Sequence, residues 1–486
     1  MEDFIAKISD YVWSYYLIGL CVLSGIYFSI RTGFLQFRYI PTMVKLLLTG
    51  NKSTQGISPF QAFSLAISGR VGTGNIIGVA SAIALGGPGA VFWMWLIAVL
   101  GAASAFAEAT LGQIYKQEIK GEYRGGPAYY IEKGLGIKWY AILFALITIL
   151  SCGLLLPGIQ SNSIVQSLNQ SVSIPNITVA SVEINTVGLA IITLVSIIIF
   201  GGVKRLGNVT QIIVPFMAVG YIIMVLIIIG MHFSEIPAAF SLIFESAFSN
   251  ESAFAGMMGS AIAWGIKRGI YSNEAGQGTA PHAAAASEVN HPAEQGLVQA
   301  FSVYVDTLFI CTATAFMILF TGKYNVQNEA TQQFVVEHLP GVEYTSFTQE
   351  ALNHHFPSIG SHFVAIALFF FAFTTILAYY YYAETNIAYI FKGKRNAQVY
   401  IWILRVCFLF AIYIGTIKEA KLAWAVGDIG VGLMAWVNII AILLLSNIVI
   451  KVWKDYLKQK KNGIEKPVFN SKKIGLKNCD FWEDKE

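Results

Sequence analysis

Two long hydrophobic stretches of this chain are interrupted by glycine and polar residues where a membrane-spanning helix should be continuous. The first break, residues 68–75, reads Ser-Gly-Arg-Val-Gly-Thr-Gly-Asn, and the second, residues 265–278, combines Gly-Ile-Lys-Arg-Gly with Ser-Asn-Glu-Ala-Gly-Gln-Gly. Hydrocarbon offers no partner to free backbone groups, so irregular chain is tolerated there only where protein or a wet cavity satisfies it. Paired breaks indicate a buried binding site between two halves of the chain, an arrangement typical of secondary transporters.

The composition supports a membrane location. Of 486 residues, 55% are hydrophobic and only 12% are charged, whereas soluble proteins carry about twice that share of charge. Apolar stretches of roughly 20 residues predict an all-α polytopic membrane protein with eleven transmembrane helices. The predicted spans are 12–30, 58–85, 89–115, 139–168, 187–202, 207–231, 253–282, 297–320, 359–390, 398–416 and 423–450.

Basic residues predict the orientation of the chain. Twenty-four of the 32 lysines and arginines fall in alternate loops and in the tail after Ile450. Such loops stay on the cytoplasmic side, so we expect a multi-pass protein of the cell membrane with its N-terminus outside and its C-terminus in the cytoplasm. The net charge of +4 follows largely from this bias and does not imply nucleic-acid binding. The basic tail either contacts anionic lipid heads of the bilayer or stays solvated.

The spans suggest a five-plus-five organisation with one extra helix. Segment 1–57 holds the external N-terminus, the extra helix and an interfacial stretch, 31–50, along the inner leaflet. The predicted units that follow are a first five-helix repeat at 58–231, an external loop at 232–252, a second repeat at 253–450 and a basic cytoplasmic tail at 451–486. An odd number of crossings inverts the second repeat, which places the two broken helices in equivalent positions.

Glycines at 69, 72 and 74 make the first broken helix easy to unwind. Unwinding frees carbonyls that coordinate a cation and amides that hold a carboxylate, and an amino acid carried with a cation needs both. The alternative is a helix-packing face of small residues, which accounts for Gly74 and Gly78 but not for Arg70 or Asn75.

Several long motifs resemble the alanine or glycine:cation symporter family. They are VGTGNIIGVA, GGPGAVFWMWLIAVLGAASAFAEATLGQIY, RGGPAYYIEKGLG and KRGIYSNEAGQGTAPHAAAA. The similarity covers about residues 12–450 and extends, more distantly, to the leucine-transporter (LeuT) fold. It implies two discontinuous helices around a central site, which agrees with the arrangement expected from the breaks alone.

The resemblance also implies roles for individual residues. Thr73, Gly74 and Asn75 match the unwound segment that meets a substrate carboxylate, and the carbonyls of Ser68 and Val71 match positions that help to bind sodium. Gln160 matches a polar position that contacts the substrate; the alternative is a bond between helices. Thr374 and Thr375 match the sodium-site helix, although threonine also bonds back to its own helix.

The chain departs from the family pattern near this helix. Members carry Gly-Trp after the Thr-Ile-Leu stretch and Gly before the glutamate, whereas this chain has Ala378-Tyr379 and Ala383. Tyr379 is smaller than tryptophan and adds a hydroxyl, which leaves room for a larger amino acid such as glutamine. We expect Tyr379 and Trp264 to line the substrate and to occlude the two openings.

Charged residues within predicted spans are costly and are usually paired or functional. Arg70, Glu108, Glu274 and Asp306 are candidates for gating or structural ion pairs, with Arg70 beside Glu108 or Glu274. Lys267, Arg268, Glu384, Arg405 and Asp428 also fall within predicted spans.

Together these patterns predict a symporter that imports a small neutral amino acid, alanine, glycine or glutamine, with sodium as the coupling ion and no other cofactor. Proton coupling is the alternative, and an ion channel is a further one that needs a continuous polar pore. An enzyme is not expected, because the chain has neither HExxH nor GxSxG. The sequence predicts no oligomeric state.

Overall fold

The computed structural model describes residues 2–48, 56–119, 121–172, 174–179, 182–248, 254, 256–329, 331–357, 359–418 and 420–483. The described chain is mostly helical, with three small antiparallel hairpins. The helices before the second break are α1 Glu2–Val12, α2 Tyr15–Arg31, α3 Leu35–Arg38, α4 Ile40–Leu48, α5 Pro59–Arg70, α6 Val79–Gly86, α7 Ala90–Ile114, α8 Pro127–Tyr130, α9 Lys138–Leu150, α10 Leu156–Ser171, α11 Thr186–Ile199, α12 Gly202–Met231, α13 Ile236–Phe248 and α14 Met258–Asn273.

The remaining helices are α15 Ala280–Ala286, α16 Pro292–Val303, α17 Thr312–Thr321, α18 Phe347–His355, α19 Gly360–Ile390, α20 Ala397–Ile417, α21 Ala420–Leu444, α22 Ser446–Lys461 and α23 Asp480–Glu483. Wider π-helical turns occupy Gly74–Gly78, Ile131–Leu135, Ser151–Leu155 and Tyr304–Cys311, and 3₁₀ turns occupy Phe233–Glu235 and Tyr344–Ser346. The hairpins pair β1 Gln117–Ile119 with β2 Glu122–Arg124, β3 Ile177–Val179 with β4 Val182–Ile184, and β5 Asn325–Gln327 with β6 Phe334–Glu337.

Eight helical segments of the described chain are long and apolar enough to cross a membrane. They are Phe4–Arg31, Ala90–Ile114, Lys138–Ser171, Gly202–Met231, Pro292–Thr321, Gly360–Ile390, Ala397–Ile417 and Ala420–Leu444. The other three predicted spans correspond to α5 with α6, to α11, and to α14 with α15. Each of these pieces is shorter than the roughly 20 residues that a bilayer needs, so the count of eleven stays a prediction.

Three boundaries differ from the sequence predictions. The described part of the interfacial stretch 31–50 contains two short helices: left-handed Phe34, φ 56°, precedes α3, and Tyr39, φ −115°, separates α3 from α4. The last predicted span, 423–450, ends at Leu444, and the chain restarts as α22. The predicted loop 232–252 contains α13 over most of its described residues.

The two broken helices lie at the centre of the packing. Helix α5 packs against α12, α15, α16 and α19, whereas α14 packs against α6 and α7. Nearly every residue from Ala62 to Ala84 is buried, as expected for helices surrounded by protein. We call the face with α22 and α23 the tail side, and the opposite face, with the β5–β6 hairpin and α18, the loop side.

Candidate functional site

The first break lies at residues 71–73. Helix α5 begins with a capping box, in which Ser58 Oγ accepts from Gln61 N and Gln61 Oε1 accepts from Ser58 N, with Pro59 in the first turn. It ends at Arg70, and Val71 is extended, with φ −80° and ψ 92°. The helix resumes at the π turn Gly74–Gly78. The break is therefore shorter than predicted, because Gly69 and Arg70 stay helical.

Three carbonyl oxygens face one hydroxyl at this break. Thr375 Oγ1 lies 2.7 Å from Ser68 O, 3.2 Å from Val71 O and 2.9 Å from Phe371 O. A hydroxyl has a single hydrogen to donate, so it satisfies only one of them at a time. A Cβ at Gly72 would lie 2.5 Å from the same Oγ1, and a larger residue there would displace the threonine. Neutral oxygens in this arrangement suit a cation.

Thr374 is not part of this cluster. Its Oγ1 donates back to Phe370 O at 3.0 Å or Phe371 O at 3.1 Å and lies 3.9 Å from Met217 Sδ. The structure thus brings together three of the four predicted sodium residues, Ser68, Val71 and Thr375. Thr374 instead bonds to the backbone of its own helix, the alternative that the sequence left open.

The backbone after the break is held by two side-chain amides. Thr73 N donates to Gln160 Oε1 at 3.2 Å, and Gly72 N donates to Asn75 Oδ1 at 2.9 Å. The structure therefore places Gln160 against the predicted substrate segment. It also assigns Asn75 a local role, closing the turn between Gly72 and Gly74.

The second break spans residues 274–279. Helix α14 ends at Asn273, and Glu274 is left-handed with φ 54°, an uncommon conformation for a residue other than glycine. Gly276 and Gly278 follow with φ +81° and +87°. A Cβ at Gly278 would lie within 3.0 Å of three side chains, so the break depends on glycine here.

Glu108 supports this break from α7. Its Oε2 accepts from Gly278 N at 3.1 Å and from Asn438 Nδ2 at 2.8 Å. Asn438 Nδ2 also donates to Gly276 O at 2.9 Å. Glu108 thus forms hydrogen bonds rather than the predicted ion pair, and it stabilises backbone groups that the broken helix leaves free.

Asp306 connects the two breaks. It accepts from Asn75 Nδ2 at 2.6 Å on the first broken helix and from Ser272 Oγ at 2.9 Å on the second. Thr307 Oγ1 donates to it at 2.7 Å. Asp306 also forms hydrogen bonds in place of the predicted ion pair, and it fixes the position of the first break relative to α14.

Several buried polar atoms around the breaks have no hydrogen-bond partner. They are Arg70 Nε, Arg70 Nη2, Thr73 Oγ1, Glu108 Oε1, Tyr271 Oη, Glu274 Oε1, Gln277 Oε1, Gln277 Nε2 and Tyr382 Oη. Buried polar atoms are bonded in the great majority of cases. A Cβ at Gly69 would lie 2.6 Å from Tyr382 Oη and 3.0 Å from Glu274 Oε2, which places both side chains against the first break. Tyr379 lies beside Glu274 in the same region. A polar ligand bound here would supply the hydrogen-bond partners that these buried atoms lack, so the region is a candidate ligand site.

The predicted ion pair of Arg70 is wrong for this structure. Arg70 Nη1 donates to Gln299 O at 3.2 Å and contacts Ser302 Oγ, and within the described chain no carboxylate lies within 4.0 Å of the guanidinium. Its charge still acts on Glu108, Glu274 and Asp306 from a longer distance. Arg70 therefore lies near a group of three buried carboxyls without pairing with any of them.

An ionic cluster closes the site on the loop side. Arg268 and Asp428 form a two-point ion pair, with Nη1–Oδ1 2.9 Å and Nη2–Oδ2 3.0 Å, and Lys267 Nζ lies 2.8 Å from Asp428 Oδ2. The Arg268 guanidinium carbon lies 4.8 Å from the Trp424 ring and 5.0 Å from the Trp264 ring. The cluster forms the floor of a cavity of about 560 Å³.

Trp264 belongs to this loop-side closure. Its Nε1 donates to Glu329 Oε2 at 3.0 Å on the β5–β6 hairpin, and its ring lines the cavity above the ion pair. The sequence predicts that Trp264 contacts the substrate. In the structure its indole instead bonds to Glu329 and lines the loop-side cavity. Lys267 and Arg268 line the same cavity, and the occluding role of Trp264 stays a prediction.

The tail side is closed by backbone pairing. Ile57 N donates to Ala286 O at 3.0 Å, and Glu288 N donates to Ile57 O at 3.1 Å, so the start of the first broken helix is joined to the end of the second. Gln113 Nε2 and Lys116 Nζ donate to Ser287 O at 3.0 Å and 2.7 Å. A Cβ at Gly56 would lie 2.6 Å from Ala286 O.

Sequence reasoning missed Phe371, Tyr382, Gln277 and Asn438. Tyr382 belongs to a run of four tyrosines, 379–382, in a helix that the sequence already assigns to the site. Residues three or four positions apart share a helix face, so one of these tyrosines had to face the same side as Thr375. Gln277 lies inside the second predicted break. Nothing local to Asn438 indicated its contact with a segment about 160 residues away.

Broken helices around a buried polar site that is closed on both sides are typical of secondary transporters, and this is the class of membrane protein that the architecture defines. Comparison with known proteins narrows the class. The chain belongs to the sodium:alanine symporter family, whose family model matches residues 1–471.

Three relatives illustrate the range of the family. A putative sodium/proton-dependent alanine carrier protein, YrbD of Bacillus subtilis (strain 168), is 56% identical over 99% of this chain and 98% of its own length. A sodium/proton-dependent alanine carrier protein of Bacillus sp. (strain PS3) is 48% identical over 91% of this chain and 97% of its own length. The probable sodium/glutamine symporter GlnT of Bacillus subtilis (strain 168) is 43% identical over 96% and 93% of the two chains.

Proposed function

We propose that the protein is a sodium-coupled symporter that imports a small neutral amino acid, with alanine as the first candidate. The single observation that carries this proposal is the cluster of Ser68 O, Val71 O and Phe371 O around Thr375 Oγ1. It joins the first break to α19 through groups that suit a monovalent cation. Within the described residues, no three His, Cys, Asp or Glu side chains form a metal-binding group.

A neutral cation site supports coupling to the substrate. Because the four oxygens carry no full charge, a bound sodium ion keeps most of its positive field. In a low-dielectric interior that field strengthens the binding of a nearby carboxylate. The free hydroxyl of Thr73 and the amide of Thr73 are the proposed carboxylate contacts, and Gln160 would rotate away from that amide when substrate binds.

The amino group and side chain of the substrate would face the second break. Glu274 Oε1 and Gln277 are the free acceptors that suit an ammonium group. Tyr379 and Tyr382 bound the space for the side chain, and both are almost fully buried. Alanine is proposed because two relatives at 56% and 48% identity are named alanine carriers. Glutamine is the alternative, since Tyr379 is smaller than tryptophan and GlnT is named for glutamine.

Proton coupling is the second candidate. Glu108 Oε1 and Glu274 Oε1 are buried without partners, and a protonated carboxyl supplies a hydrogen to such a site. The two alanine carriers are named as both sodium- and proton-dependent. Glu274 is the favoured proton carrier because it begins the second break and its Oε2 lies 3.0 Å from the Cβ position of Gly69, close to the first break.

The proposed cycle is alternating access. The loop-side ion pairs and the tail-side pairing of Ile57 would open in turn, and the distribution of basic residues supports a cytoplasmic tail side. In this scheme the eleven spans form two inverted five-helix repeats of the LeuT type after an extra first helix.

Uptake by purified protein in liposomes tests the proposal. Labelled alanine, glycine and glutamine are each offered with an inward sodium gradient, an inward proton gradient or neither. We expect alanine to accumulate with the sodium gradient alone. Accumulation that follows the proton gradient at zero sodium would favour the second candidate. A flux that cannot concentrate any of the three solutes would reject symport.

A further inference from the structure

The described residues after α22 pack against the rest of the protein. After α22 the chain turns back across the tail side, where Phe469 N donates to Asn290 O at 3.0 Å. The Phe469 ring lies 5.1 Å from the Trp482 ring and 5.5 Å from the His291 ring. Cys479 is fully buried, and Phe481 and Trp482 are only 7% and 4% exposed. We call residues 469–483 the latch segment.

Aromatic contacts attach the latch segment to the end of α7. Trp482 Nε1 donates to Gln113 O at 3.0 Å, and the Phe481 ring lies 4.8 Å from the Tyr123 ring. Lys116 Nζ lies 4.3 Å from the Phe481 ring centre. The same ammonium group donates to Ser287 O at 2.7 Å, so the latch segment covers a contact of the tail-side closure.

Polar contacts attach the latch segment to a second part of the molecule. Asp480 Oδ2 accepts from Gln117 Nε2 at 2.7 Å and lies 3.1 Å from Lys133 Nζ, whose backbone oxygen accepts from Asn478 Nδ2 at 3.0 Å. The β1–β2 hairpin is in turn bound to α19, because Arg124 and Glu384 form an ion pair at 2.7 Å.

The latch segment therefore joins elements that alternating access must separate. On one side it holds Asn290 and His291, which follow the end of the second broken helix. On the other it holds the hairpin that is attached to α19, the helix that carries Thr375. The Tyr123 ring, which Phe481 contacts, lies 2.7 Å from the Cβ position of Gly56, so the docked segment borders the pairing of Ile57 with Ala286.

We propose that the tail side contains a docking surface for the latch segment, and that the docked segment keeps the release pathway shut until substrate and ion are loaded. This inference rests on the proposed alternating-access function. Residues 472–483, with the buried Cys479, Phe481 and Trp482, lie beyond the match to the family model. A docked latch segment differs from both alternatives that the sequence leaves open for the tail, contact with anionic lipid heads and a solvated tail.

Cys479 provides a native reporter of docking. Cys21, Cys152 and Cys311 are buried, and Cys407 is exposed, so a Cys407→Ser background leaves Cys479 as the cysteine to follow. Inside-out membrane vesicles are treated with a charged maleimide, and the labelling rate of Cys479 is measured for the full-length chain. Trp482→Ala removes the anchor, Trp482→Phe keeps a ring without the hydrogen bond, and Val468→Ala removes an exposed side chain of the same tail as a matched control.

Labelling through local opening follows the population of the open form, so we expect at least about a tenfold faster rate in Trp482→Ala and an intermediate rate in Trp482→Phe. Val468→Ala should stay within about twofold of the parent, as exposed positions usually do. In the parent protein, sodium with alanine should raise the rate above that with sodium alone. Monodisperse elution of each variant from a sizing column establishes that it is folded.

The outcomes separate the two proposals. If the parent transports alanine but its Cys479 labels at the same rate with and without alanine, the latch is refuted and the proposed function stands. Labelling of Trp482→Ala at the parental rate also refutes the latch. If the parent accumulates no amino acid under any gradient, the proposed function fails whatever the labelling shows.

Discussion

The two closures of the central site are built from different interactions. On the loop side one carboxylate, Asp428, holds both Lys267 and Arg268 beneath two tryptophan rings. On the tail side the closure is distributed over the backbone bonds of Ile57, the bonds to Ser287 O and the latch segment. A single substitution should therefore disable the loop-side closure, whereas the tail-side closure should weaken by degrees.

The largest effect is expected from Asp428→Asn. Removing one partner of a buried ion pair costs about 3–5 kcal/mol, because it leaves uncompensated buried charge, and here two cations lose their partner. We expect a large fall in thermal stability and loss of concentrative uptake, measured by thermal unfolding in detergent and by liposome uptake.

The control for Asp428 is Glu343→Gln. Glu343 lines the same cavity but forms no ion pair within the described residues. Its replacement should leave both measurements close to those of the parent. Equal losses in the two variants would show that the cavity's total charge, and not the ion pair, maintains this closure.

A smaller effect is expected on the tail side from Gly56→Ala. The new Cβ would lie 2.6 Å from Ala286 O and 2.7 Å from the Tyr123 ring, and overpacking of this kind costs about 1–3 kcal/mol. Uptake should fall and Cys479 should label faster, because the strained pairing and the latch segment share Tyr123. Gly220→Ala is the matched control, since nothing lies within 4 Å of its Cβ position. If the two glycine variants behave alike, close packing at Ile57 does not hold the tail side shut.

Substitutions in the proposed sodium site should change ion binding without weakening the loop-side or the tail-side closure. Thr375→Ala removes the hydroxyl that faces three carbonyls, and we expect the sodium concentration for half-maximal uptake to rise at least about tenfold, equivalent to about 1.4 kcal/mol. Thr374→Ala should shift it far less, because that hydroxyl bonds within its own helix. If Thr374→Ala raised the sodium concentration for half-maximal uptake more than Thr375→Ala did, the ion would lie on the other face of α19.

The smallest effect is expected from Glu329→Gln at the rim of the loop-side cavity. Glutamine keeps an acceptor for Trp264 Nε1, and exposed substitutions usually change stability by less than about 0.5 kcal/mol. Sodium-driven uptake should be unchanged within error. A marked loss would extend the ionic closure beyond Asp428 to the β5–β6 hairpin.

Much of the site could be predicted because its determinants are local. Glycines and polar residues within apolar runs indicated both breaks, and the resemblance to the symporter family indicated that the carbonyls of Ser68 and Val71 face a cation. The limits of the breaks were less accurate, because Gly69 and Arg70 remain helical and Gly74 enters a π turn. Local pattern does not reveal which helical hydrogen bonds tertiary packing preserves.

Long-range partners could not be predicted. Arg70 was expected to pair with a carboxylate, but its Nη1 donates to Gln299 O about 230 positions away, since a guanidinium also donates to carbonyls and hydroxyls. Trp264 was assigned to the substrate because it lies near the break in sequence, yet the helix turns it toward Glu329. Phe469, Phe481 and Trp482 stood out as aromatic residues in a basic tail, and that signal was available and missed.

The central claim is that one site binds a sodium ion and an amino acid and that each stabilises the other. Binding of labelled alanine to the purified protein, measured at equilibrium over a range of sodium concentrations, tests it most directly. Linkage requires that sodium raise the affinity for alanine by the same factor by which alanine raises the affinity for sodium, typically about 5- to 150-fold. We predict a rise of this size that Thr375→Ala abolishes and Thr374→Ala retains. An affinity for alanine that is the same with and without sodium would contradict the account.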